Sequence, residues 1–429
     1  MIKTIIVKNA KSDAENLRNS SNSISNELIQ RIKVIMEDIE KYGDSAIMDY
    51  EEKFDGIRLN SLKVTDEEIR EAYNKVTKKQ IQSIKMIRNS LIKTEIALFK
   101  QLQKISLSSY GVKIQRMIQP ISSVGCYIPG GKARYPSTML MCAVPAQVAG
   151  VKRIVAISPP LKDGKIDPLT LVSGEICGVD EFYKIGGAQG IAALTFGTQS
   201  INKVSKIVGP GGVFVSIAKT LASARVSIDM VAGPTELVVY ADAKTDARLI
   251  ALDMISQAEH SYDTFCGLVT TSKELAGQVN TEIQSLLNNN SINRIDIVKR
   301  SLVENGFFAI CKNESSAIEF INEVAPEHLE IMAKNARTIS KQITSAGLIL
   351  IGSFTPSSAS DYCLGSNHIL PTMGFGKSRA SLSVLDFIKI VNKVEATRTG
   401  LKKVESKIRE IALAEGLMNH YEAVKERIK

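Results

Sequence analysis

Histidine is used sparingly in this sequence, and always beside other polar residues. Only four histidines occur in 429 residues. They lie in four short polar clusters, namely Gln257-Ala-Glu-His260, Pro326-Glu-His328, Asp361 with Asn367-His368, and Glu415 with Asn419-His420. Imidazole is a common neutral metal ligand, and its unperturbed pKa of about 6.5 lies near neutrality. The clusters therefore predict a metal site, an acid–base site, or both.

The first cluster has the spacing of two metal ligands. Gln257 and His260 are three residues apart on a predicted helix, so both side chains can reach one ion. With a carboxylate they would make a zinc site, although amide oxygen is an uncommon ligand. A helix end with polar caps is the alternative interpretation.

The second and third clusters have the residue types of acid–base catalysis. Glu327 and His328 are adjacent, and adjacent side chains diverge on regular structure, so they would serve two reaction steps rather than form a dyad. Asp361 and His368 follow a strand predicted over Leu348–Ile351, and ligands gather outside the carboxyl ends of such strands. Asp361 could bind a metal ion, whereas His368 could be catalytic or a structural hydrogen-bonding residue. A solvated loop is the alternative for Glu327 and His328.

Three glycine clusters could approach phosphate groups: Pro129-Gly-Gly131, Gly186-Gly-Ala-Gln-Gly190 and Gly209-Pro-Gly-Gly212. Glycine-rich loops let backbone amides come close to a phosphate, above all before a helix. No GxGxxG fingerprint occurs, because Phe214 stands where the last glycine would follow Gly209 and Gly211. Dinucleotide binding and simple tight turns are both compatible with these clusters.

The spacing of apolar residues predicts helices at both ends of the chain, with alternating strands and helices between them. Up to about residue 103 the pattern is helical, with one helix over 27–50 and a capping box at Thr65-Asp-Glu-Glu68 that opens another. From about Ile105, β-branched runs alternate with helical segments, as in a largely parallel sheet. After about Ser383 a helical tail returns, and it must bury its apolar stripe on the body or on another subunit. Glu415 and His420 lie in this tail, where a solvated helix face is the alternative to a functional role.

The composition excludes several classes of protein. Hydrophobic residues make up 44% of the chain, and no run approaches the ~20 apolar residues that span a bilayer. The N-terminus lacks the apolar centre of a signal peptide, so we expect a cytoplasmic protein. The net charge of +9 would permit a nucleic-acid partner, but acidic and basic residues are interleaved and aromatic residues are only 5%, so none is expected. The six cysteines form no CxxC pair, and most should be buried free thiols.

Taken in their order, these motifs resemble the histidinol dehydrogenase family over nearly the whole chain. The resemblance rests on Cys126-Tyr-Ile-Pro-Gly-Gly131, Gly186-Gly-Ala-Gln189, Gly209-Pro-Gly211, Asp229-Met-Val-Ala-Gly-Pro-Thr-Glu236, Gln257-Ala-Glu-His260, Ala325-Pro-Glu-His-Leu-Glu330, Asp361-Tyr362 and Asn367-His-Ile-Leu-Pro-Thr372. No single segment is decisive, but the ordered set is highly specific.

The resemblance implies an α/β fold with two incomplete Rossmann-like units of the aldehyde-dehydrogenase-like type, consistent with the missing fingerprint. We expect a helical N-terminal region over 1–104 that packs on the body. A unit with the cofactor loops should span 105–240, and a unit with the zinc and catalytic residues should span 241–382. The helical tail over 383–429 should dock on a partner subunit.

The resemblance also implies the reaction and its cofactors. The chain would oxidise L-histidinol to L-histidine in two NAD-dependent steps, through an L-histidinal that stays bound. One zinc ion per subunit would orient the substrate's imidazole and amine. Gln257, His260 and Asp361 would bind this ion, and His420 would complete the site from the partner in a homodimer. Manganese or cobalt could also suit such ligands.

Each remaining polar residue receives a role from the same resemblance. His328 would remove the alcohol proton, and Glu327 would activate water for the aldehyde step, which suits a histidine and a nearby carboxylate. The substrate-contacting positions would be Thr235, Gln257, His260, His328, Asp361, His368, Glu415 and His420. The cofactor-contacting positions would be Tyr127, Gln189 and Gly212.

The chain departs from the family pattern near the cofactor. Gly212 stands where asparagine is usual, so one hydrogen bond to NAD worth ~1 kcal/mol should be lost. Thr235 replaces the usual serine but keeps the hydroxyl, while Ser357 and Ser360 replace the usual glutamate and glycine. We expect altered cofactor affinity with the chemistry retained. No thiohemiacetal route is expected, although Cys363 lies two residues from the Asp361 position.

Three other functions stay open at this point. A zinc hydrolase would use a metal-bound water as nucleophile, but the chain has no HExxH motif and carries three glycine loops. A diverged NAD-dependent alcohol dehydrogenase would act on a related amino alcohol. A basic, non-catalytic protein would show salt-dependent binding to nucleic acid.

Overall fold

The structure, a computed structural model, describes residues 2–19, 25–102, 105–130, 134–288 and 292–429. Gly131 of the first resemblance segment and the expected boundary at residue 104 lie outside the described residues. The helices are α1 (Ala10–Asn19), α2 (Asn26–Tyr42), α3 (Asp44–Asp55), α4 (Asp66–Lys75), α5 (Lys78–Lys100), α6 (Pro136–Ala149), α7 (Pro168–Ile176), α8 (Gly187–Phe196), α9 (Val213–Ala222), α10 (Ala247–Ala258), α11 (Lys273–Asn288), α12 (Ile295–Glu304), α13 (Glu314–Val324), α14 (Ala336–Ser340), α15 (Ser357–Ser360), α16 (Arg398–Ala414) and α17 (Met418–Ile428). The strands are β1 (Lys3–Ile6), β2 (Ile105–Ser109), β3 (Val112–Pro120), β4 (Val124–Tyr127), β5 (Ile154–Ser158), β6 (Glu181–Lys184), β7 (Lys206–Val208), β8 (Ser227–Ile228), β9 (Glu236–Ala241), β10 (Phe265–Thr270), β11 (Gly306–Ile310), β12 (His328–Met332), β13 (Leu348–Ile351) and β14 (Ile388–Ala396).

Two parallel sheets form the body in the described part of the chain. The first has the strand order β6-β5-β4-β7-β8, and the second has the order β1-β11-β10-β9-β12-β13. Apart from β1, both sheets follow the order 3-2-1-4-5, as in a doubly wound nucleotide-binding sheet without its sixth strand. The predicted α/β class with parallel sheets is confirmed, and the shared order agrees with a duplication.

Helices cover both faces of each sheet. On the first sheet, α6 and α7 lie on one face with α4 and α5 packed on them, while α8 and α9 lie on the other face beneath α2. On the second sheet, α10 to α12 pack on one face and α1, α13 and α14 on the other. The N-terminal helices therefore do pack on the body. No helix in the described part of the chain is long and apolar enough to cross a membrane.

Several element boundaries differ from the sequence-based expectation, and glycine accounts for two of them. Gly43 has φ +62°, a left-handed conformation, and divides the predicted helix over 27–50 into α2 and α3. Gly416 has φ +71° and divides the predicted helical tail into α16, which is capped by Glu415, and α17. By contrast, the capping box at Thr65 opens α4 as predicted, with reciprocal bonds between Thr65 and Glu68.

The terminal regions are mostly helical, as predicted, but each also contains a strand that was not predicted. β1 pairs in parallel with β11 and extends the second sheet. β14 pairs with β3, which pairs with β2, in a separate antiparallel sheet. Residues 105–120 therefore belong to this small sheet. β9 crosses the predicted boundary at residue 240 and lies inside the second sheet, because both of its neighbours, β10 and β12, come later in the chain.

Candidate active site

The candidate catalytic residues lie at the amino ends of two neighbouring strands of the second sheet. Thr235 directly precedes β9, and His328 opens β12, where it is paired with Leu237. Asp361 and His368 follow the carboxyl end of β13, as predicted, whereas Thr235 and His328 lie at the opposite ends of their strands. The physical reason is the short connection over 229–235, which leads from the carboxyl end of β8 to the amino end of β9. It brings the amino edge of the second sheet toward the carboxyl edge of the first.

His328 is a buried strand residue rather than a residue of a solvated loop. Its side chain is only 3% exposed. Nδ1 lies 3.0 Å from the carbonyl oxygen of Glu236, which can only accept, so Nδ1 carries the hydrogen. Nε2 is buried and has no hydrogen-bond partner within the described residues, and it lies 3.8 Å from Asp361 Oδ1. In its neutral form the ring therefore presents Nε2 as a proton acceptor.

The charges around His328 decide its protonation. Burial alone would lower the pKa of His328, but the carboxylates of Glu327 and Asp361 outweigh burial and raise the pKa to about 9. Glu327 Oε2 lies 3.6 Å from Nδ1, closer than expected for neighbours that diverge. Because Nδ1 donates to the backbone instead, the two side chains form no hydrogen-bonded dyad, as predicted.

A chain of hydrogen bonds links the candidate metal ligand Gln257 to the candidate base Glu327. Gln257 Nε2 donates to Thr235 Oγ1 at 2.7 Å, and that hydroxyl donates to Glu327 Oε2 at 2.7 Å. The amide hydrogen of Glu236 donates to the same carboxylate oxygen at 2.6 Å. Since Nε2 of Gln257 is engaged, Oε1 remains as its ligating atom; it accepts a bond from Ser357 Oγ at 3.3 Å.

Asp361 and His368 approach the same place from the loop after α15. His368 Nδ1 donates to the carbonyl oxygen of Asp361 at 2.9 Å, and its Nε2 lies 3.3 Å from Thr138 Oγ1 at the start of α6. Burial lowers the pKa of His368, so its neutral form is favoured. His368 thus bridges the two sheets, while the partly exposed Asp361 carboxylate faces His328.

His260, Glu415 and His420 are not joined to this group in one chain. His260 follows the end of α10 and is half-buried, whereas Glu415 and His420 are exposed. α16 and α17 pack against each other. The residue before α16, Thr397, donates its amide hydrogen to the carbonyl oxygen of Gly111, in the turn between β2 and β3 of the small antiparallel sheet. No hydrogen bond or ion pair in the described ranges links His420 to the other expected zinc ligands.

Among the described residues, the four expected zinc ligands do not form one group within the single chain. In the described part of the chain, no three His, Cys, Asp or Glu side chains are grouped as metal ligands. The expected set contains three side chains of these types, namely His260, Asp361 and His420. Gln257 would add its amide oxygen to them. Imidazole, amide and carboxylate together suit a divalent cation.

The three expected cofactor-binding residues lie at the carboxyl edge of the first sheet. Tyr127 ends β4, Gln189 lies in the first turn of α8, and Gly212 precedes α9. Tyr127 Oη accepts a bond from Gly187 N at 3.3 Å. Gly209 has φ +117°, and a Cβ there would lie 2.2 Å from the Tyr127 carbonyl oxygen, so only glycine fits. This edge is the usual ligand-binding place of a parallel sheet.

Three ionisable residues behind these loops, Glu51, Lys219 and Asp229, received no role in the sequence analysis. The buried Glu51 accepts bonds on Oε1 from Gly186 N at 3.1 Å and from Gln189 Nε2 at 2.8 Å. Lys219 and Asp229 form a buried ion pair, and both bind Gly209, at its carbonyl oxygen and its amide nitrogen. The sequence signal was a charged residue on the apolar face of an amphipathic helix, as at Glu51.

A buried acidic pair, also missed, supports the short helix α15 that precedes Asp361. Glu330 Oε1 accepts a bond from Ser357 N at 2.5 Å. Burial raises the pKa of Glu330 to about 8, with the charge of Asp253 adding to the effect. Burial likewise raises the pKa of Asp253 to about 6. The charge of Asp253 thus disfavours ionisation of Glu330, whereas the hydrogen bond with Glu330 lowers the pKa of Asp253 and partly opposes the effect of burial there.

Comparison with known proteins identifies relatives over the full length of the chain. The sequence model of the histidinol dehydrogenase family matches residues 18–428. A histidinol dehydrogenase of Methanocaldococcus jannaschii is 38% identical over 433 residues, covering 100% of both chains. One from Clostridium acetobutylicum is 42% identical over 405 residues, covering 94% of this chain and 93% of the relative. The crystal structure of histidinol dehydrogenase from Elizabethkingia anophelis matches with a TM-score of 0.93 at 34% identity, covering 100% and 98% of the two chains. These matches confirm the resemblance predicted from the ordered motifs.

Proposed function

Because this chain belongs to the histidinol dehydrogenase family, we propose that it oxidises L-histidinol to L-histidine in two steps, with NAD accepting the hydrides and zinc holding the substrate. Its enzyme class is that of the family, EC 1.1.1.23, an oxidoreductase of histidine biosynthesis. The observation that carries the two-step proposal is the buried Nε2 of His328, which has no partner among the described residues. A substrate hydroxyl at this atom would supply the missing hydrogen-bond donor.

His328 is the base of the first step. The alcohol carbon loses a hydride to NAD while its hydroxyl proton passes to Nε2, which leaves the aldehyde. The Nδ1 bond to Glu236 keeps Nε2 as the accepting atom throughout. Because an imidazole must be neutral to accept a proton, the high pKa of His328 opposes this step. Engagement of the Asp361 carboxylate by a bound cation would remove one of the charges that raise this pKa.

Glu327 is the base of the second step. It takes a proton from the water that adds to the aldehyde carbon, and the resulting hydrate then gives a hydride to a second NAD to form the acid. Thr235 Oγ1 and the Glu236 amide orient the Glu327 carboxylate through Oε2. Holding the aldehyde in one orientation between the steps is worth several orders of magnitude in effective concentration.

The zinc ion would be held by Gln257 Oε1, His260 and Asp361, with His420 from a second subunit. Its chemistry there is to fix the substrate's imidazole and amine. The NAD would lie along Tyr127, Gln189 and Gly212. Position 212 has room for a side chain, because a Cβ added to Gly212 would meet nothing within 4 Å. The usual asparagine would therefore fit there. Some loss of cofactor affinity without loss of chemistry remains our expectation.

The tail supports a homodimer with a shared site. Ile411 and Leu413 in α16 and Leu417 just before α17 are exposed to 61%, 54% and 44%, although the tail carries an apolar stripe. Burial of such a stripe on a partner would stabilise the tail and bring His420 to the other subunit's Asp361. Mixing the inactive His328→Asn and His420→Ala variants after partial unfolding should then restore activity, because a mixed dimer has one intact site. Complete lack of restoration would contradict the shared site.

Two measurements test the reaction. Purified, zinc-loaded protein should form two NADH per L-histidine, and one NADH per product would contradict the second step. His328→Asn should abolish alcohol oxidation but retain the fold and the bound zinc, because His328 is not one of the expected zinc ligands. Added L-histidinal separates the steps: if His328→Asn still oxidises it, the two bases act separately. Unchanged turnover of L-histidinol by this variant would refute the assignment of the base.

A further inference from the structure

Arg18, near the end of α1, forms a forked ion pair with Glu236 behind the candidate catalytic residues. Nη1 and Nη2 lie 2.5 and 2.9 Å from the two carboxylate oxygens of Glu236. The Glu236 side chain is 3% exposed and that of Arg18 is 18% exposed. The guanidinium also lies over the ring of Phe265, 5.0 Å from its centre. This combination of two parallel bonds and a stacked plane is available to arginine but not to lysine.

Glu236 contacts both candidate bases through its backbone. Its carbonyl oxygen accepts the bond from His328 Nδ1 at 3.0 Å, and its amide donates to Glu327 Oε2 at 2.6 Å. Its carboxylate accepts a bond from the Glu327 amide at 3.2 Å. A shift of Glu236 would therefore move or turn both candidate bases together.

Arg18 also holds the segment that leads into the two bases. Nε and Nη2 donate to the carbonyl oxygen of Val324 at 3.0 and 2.6 Å, and Nη2 lies 3.3 Å from that of Ala325. Ala325 has φ +48°, a left-handed conformation that disfavours residues with a Cβ by roughly 1–2 kcal/mol. The bonds from Arg18 stabilise the backbone on both sides of this strained residue, three positions before His328.

We infer that Arg18 is a positioning residue for both oxidation steps, acting through Glu236 on His328 Nε2 and on the Glu327 carboxylate. The inference rests on the proposed function. Arg18 is not among the residues expected to bind substrate, zinc or NAD. Its loss should therefore lower kcat for L-histidinol and for L-histidinal, while both KM values and the affinity for NADH stay nearly the same.

The test compares Arg18→Met with a matched variant far from the site. Arg153 forms the same kind of fork with Glu181, at 2.6 and 3.0 Å, and it also donates to two backbone carbonyls. Arg153→Met should cost similar stability but leave kcat within about twofold. Arg18→Met should lower kcat for both substrates about 100-fold, since a 1 Å misplacement of a reacting group has an effect of this order. Zinc content and NADH binding per chain, measured on each variant, give the folded fraction.

Arg18→Lys keeps the experiment decisive if Arg18→Met does not fold, because it retains the charge and loses only the fork. Its kcat should fall at least tenfold more than that of Arg153→Lys, with KM changed less than threefold. Equal kcat losses in the two lysine variants, or a change confined to KM, would overturn the inference. Wild-type protein without NAD-dependent oxidation would overturn the proposed function, and the inference with it. Active wild type with unchanged Arg18 variants would overturn the inference alone.

Discussion

Glu51 should make the protein less stable as the pH rises. Its carboxyl group is fully buried beneath the loop at Gly186, and Oε2 has no partner within the described residues. Burial raises its pKa from 4.5 to about 7, although the bonds from Gln189 and Gly186 partly oppose this effect. The folded protein therefore favours the protonated acid, whereas the unfolded chain loses that proton near pH 4.5.

The sign and size of the effect follow from this difference. A carboxyl group with a raised pKa contributes full stability below its unfolded pKa, and that contribution is lost as the pH rises through 7. A change from 4.5 to about 7 corresponds to about 3 kcal/mol, since one pKa unit is about 1.4 kcal/mol. Glu51→Gln cannot ionise, and its amide oxygen can keep the bonds from Gly186 and Gln189. The variant should match the wild type near pH 4.5 and exceed it by up to about 3 kcal/mol near pH 8.

The assay is chemical denaturation of wild type and Glu51→Gln between pH 4.5 and 8, with the stability difference plotted against pH. Subtracting the wild-type free energy of unfolding from that of the variant at each pH cancels the contribution of all other titrating groups. Glu52→Gln is the matched control, because the neighbouring Glu52 is exposed and should give a difference near zero at every pH. A difference for Glu51→Gln that is constant with pH, or that shrinks as the pH rises, would refute the reasoning.

Three further outcomes are expected. Thr235→Val removes the hydroxyl that orients Glu327 Oε2, so kcat for L-histidinal should fall 10- to 100-fold, whereas Thr235→Ser, with the hydroxyl kept, should stay within about threefold. Lys219→Met leaves the Asp229 charge buried and unpaired, so the free energy of unfolding should fall by about 3–5 kcal/mol. The double variant with Asp229→Asn should recover part of this loss. No recovery would contradict a stabilising ion pair between Lys219 and Asp229. Cys363 is the exposed cysteine among the six, and the other five are buried. A disulfide reagent should therefore label about one thiol per native chain and all six after denaturation. Fast labelling of more than one thiol in the native protein would contradict the burial of the other five.

Local sequence signals predicted the elements of the body well, because periodicity and capping are local. The strand predicted over Leu348–Ile351 is β13, and the capping box at Thr65 opens α4. The two edge strands β1 and β14 were missed. β1 has only four residues, and the side chains of β14 are mostly exposed, so neither shows a clear alternation of polar and apolar residues. Their partners lie far away in the sequence, so only tertiary pairing stabilises them.

The site followed a similar division. The motifs selected residues that the structure brings together through hydrogen bonds or close approach. These residues are Thr235, Gln257, Glu327, His328, Asp361 and His368. The location of His328 in a buried strand could not be predicted, because Pro326 and Glu327 look like a loop. Arg18 could not be found either, since a lone arginine near a helix end has no distinctive spacing and its partners are more than two hundred residues away.

The pairing of β1 with β11 sets the order in which the protein can fold during synthesis. Lys3 pairs with Phe307, so the first strand made must wait for almost three quarters of the chain. At about 5–20 residues per second, translation leaves this segment without its partner for tens of seconds. Arg18 likewise forms its bonds only later, because Glu236, Val324 and Ala325 must first emerge from the ribosome. Since such long-range contacts form late, a nascent chain should acquire its secondary structure well before the proposed catalytic geometry is complete.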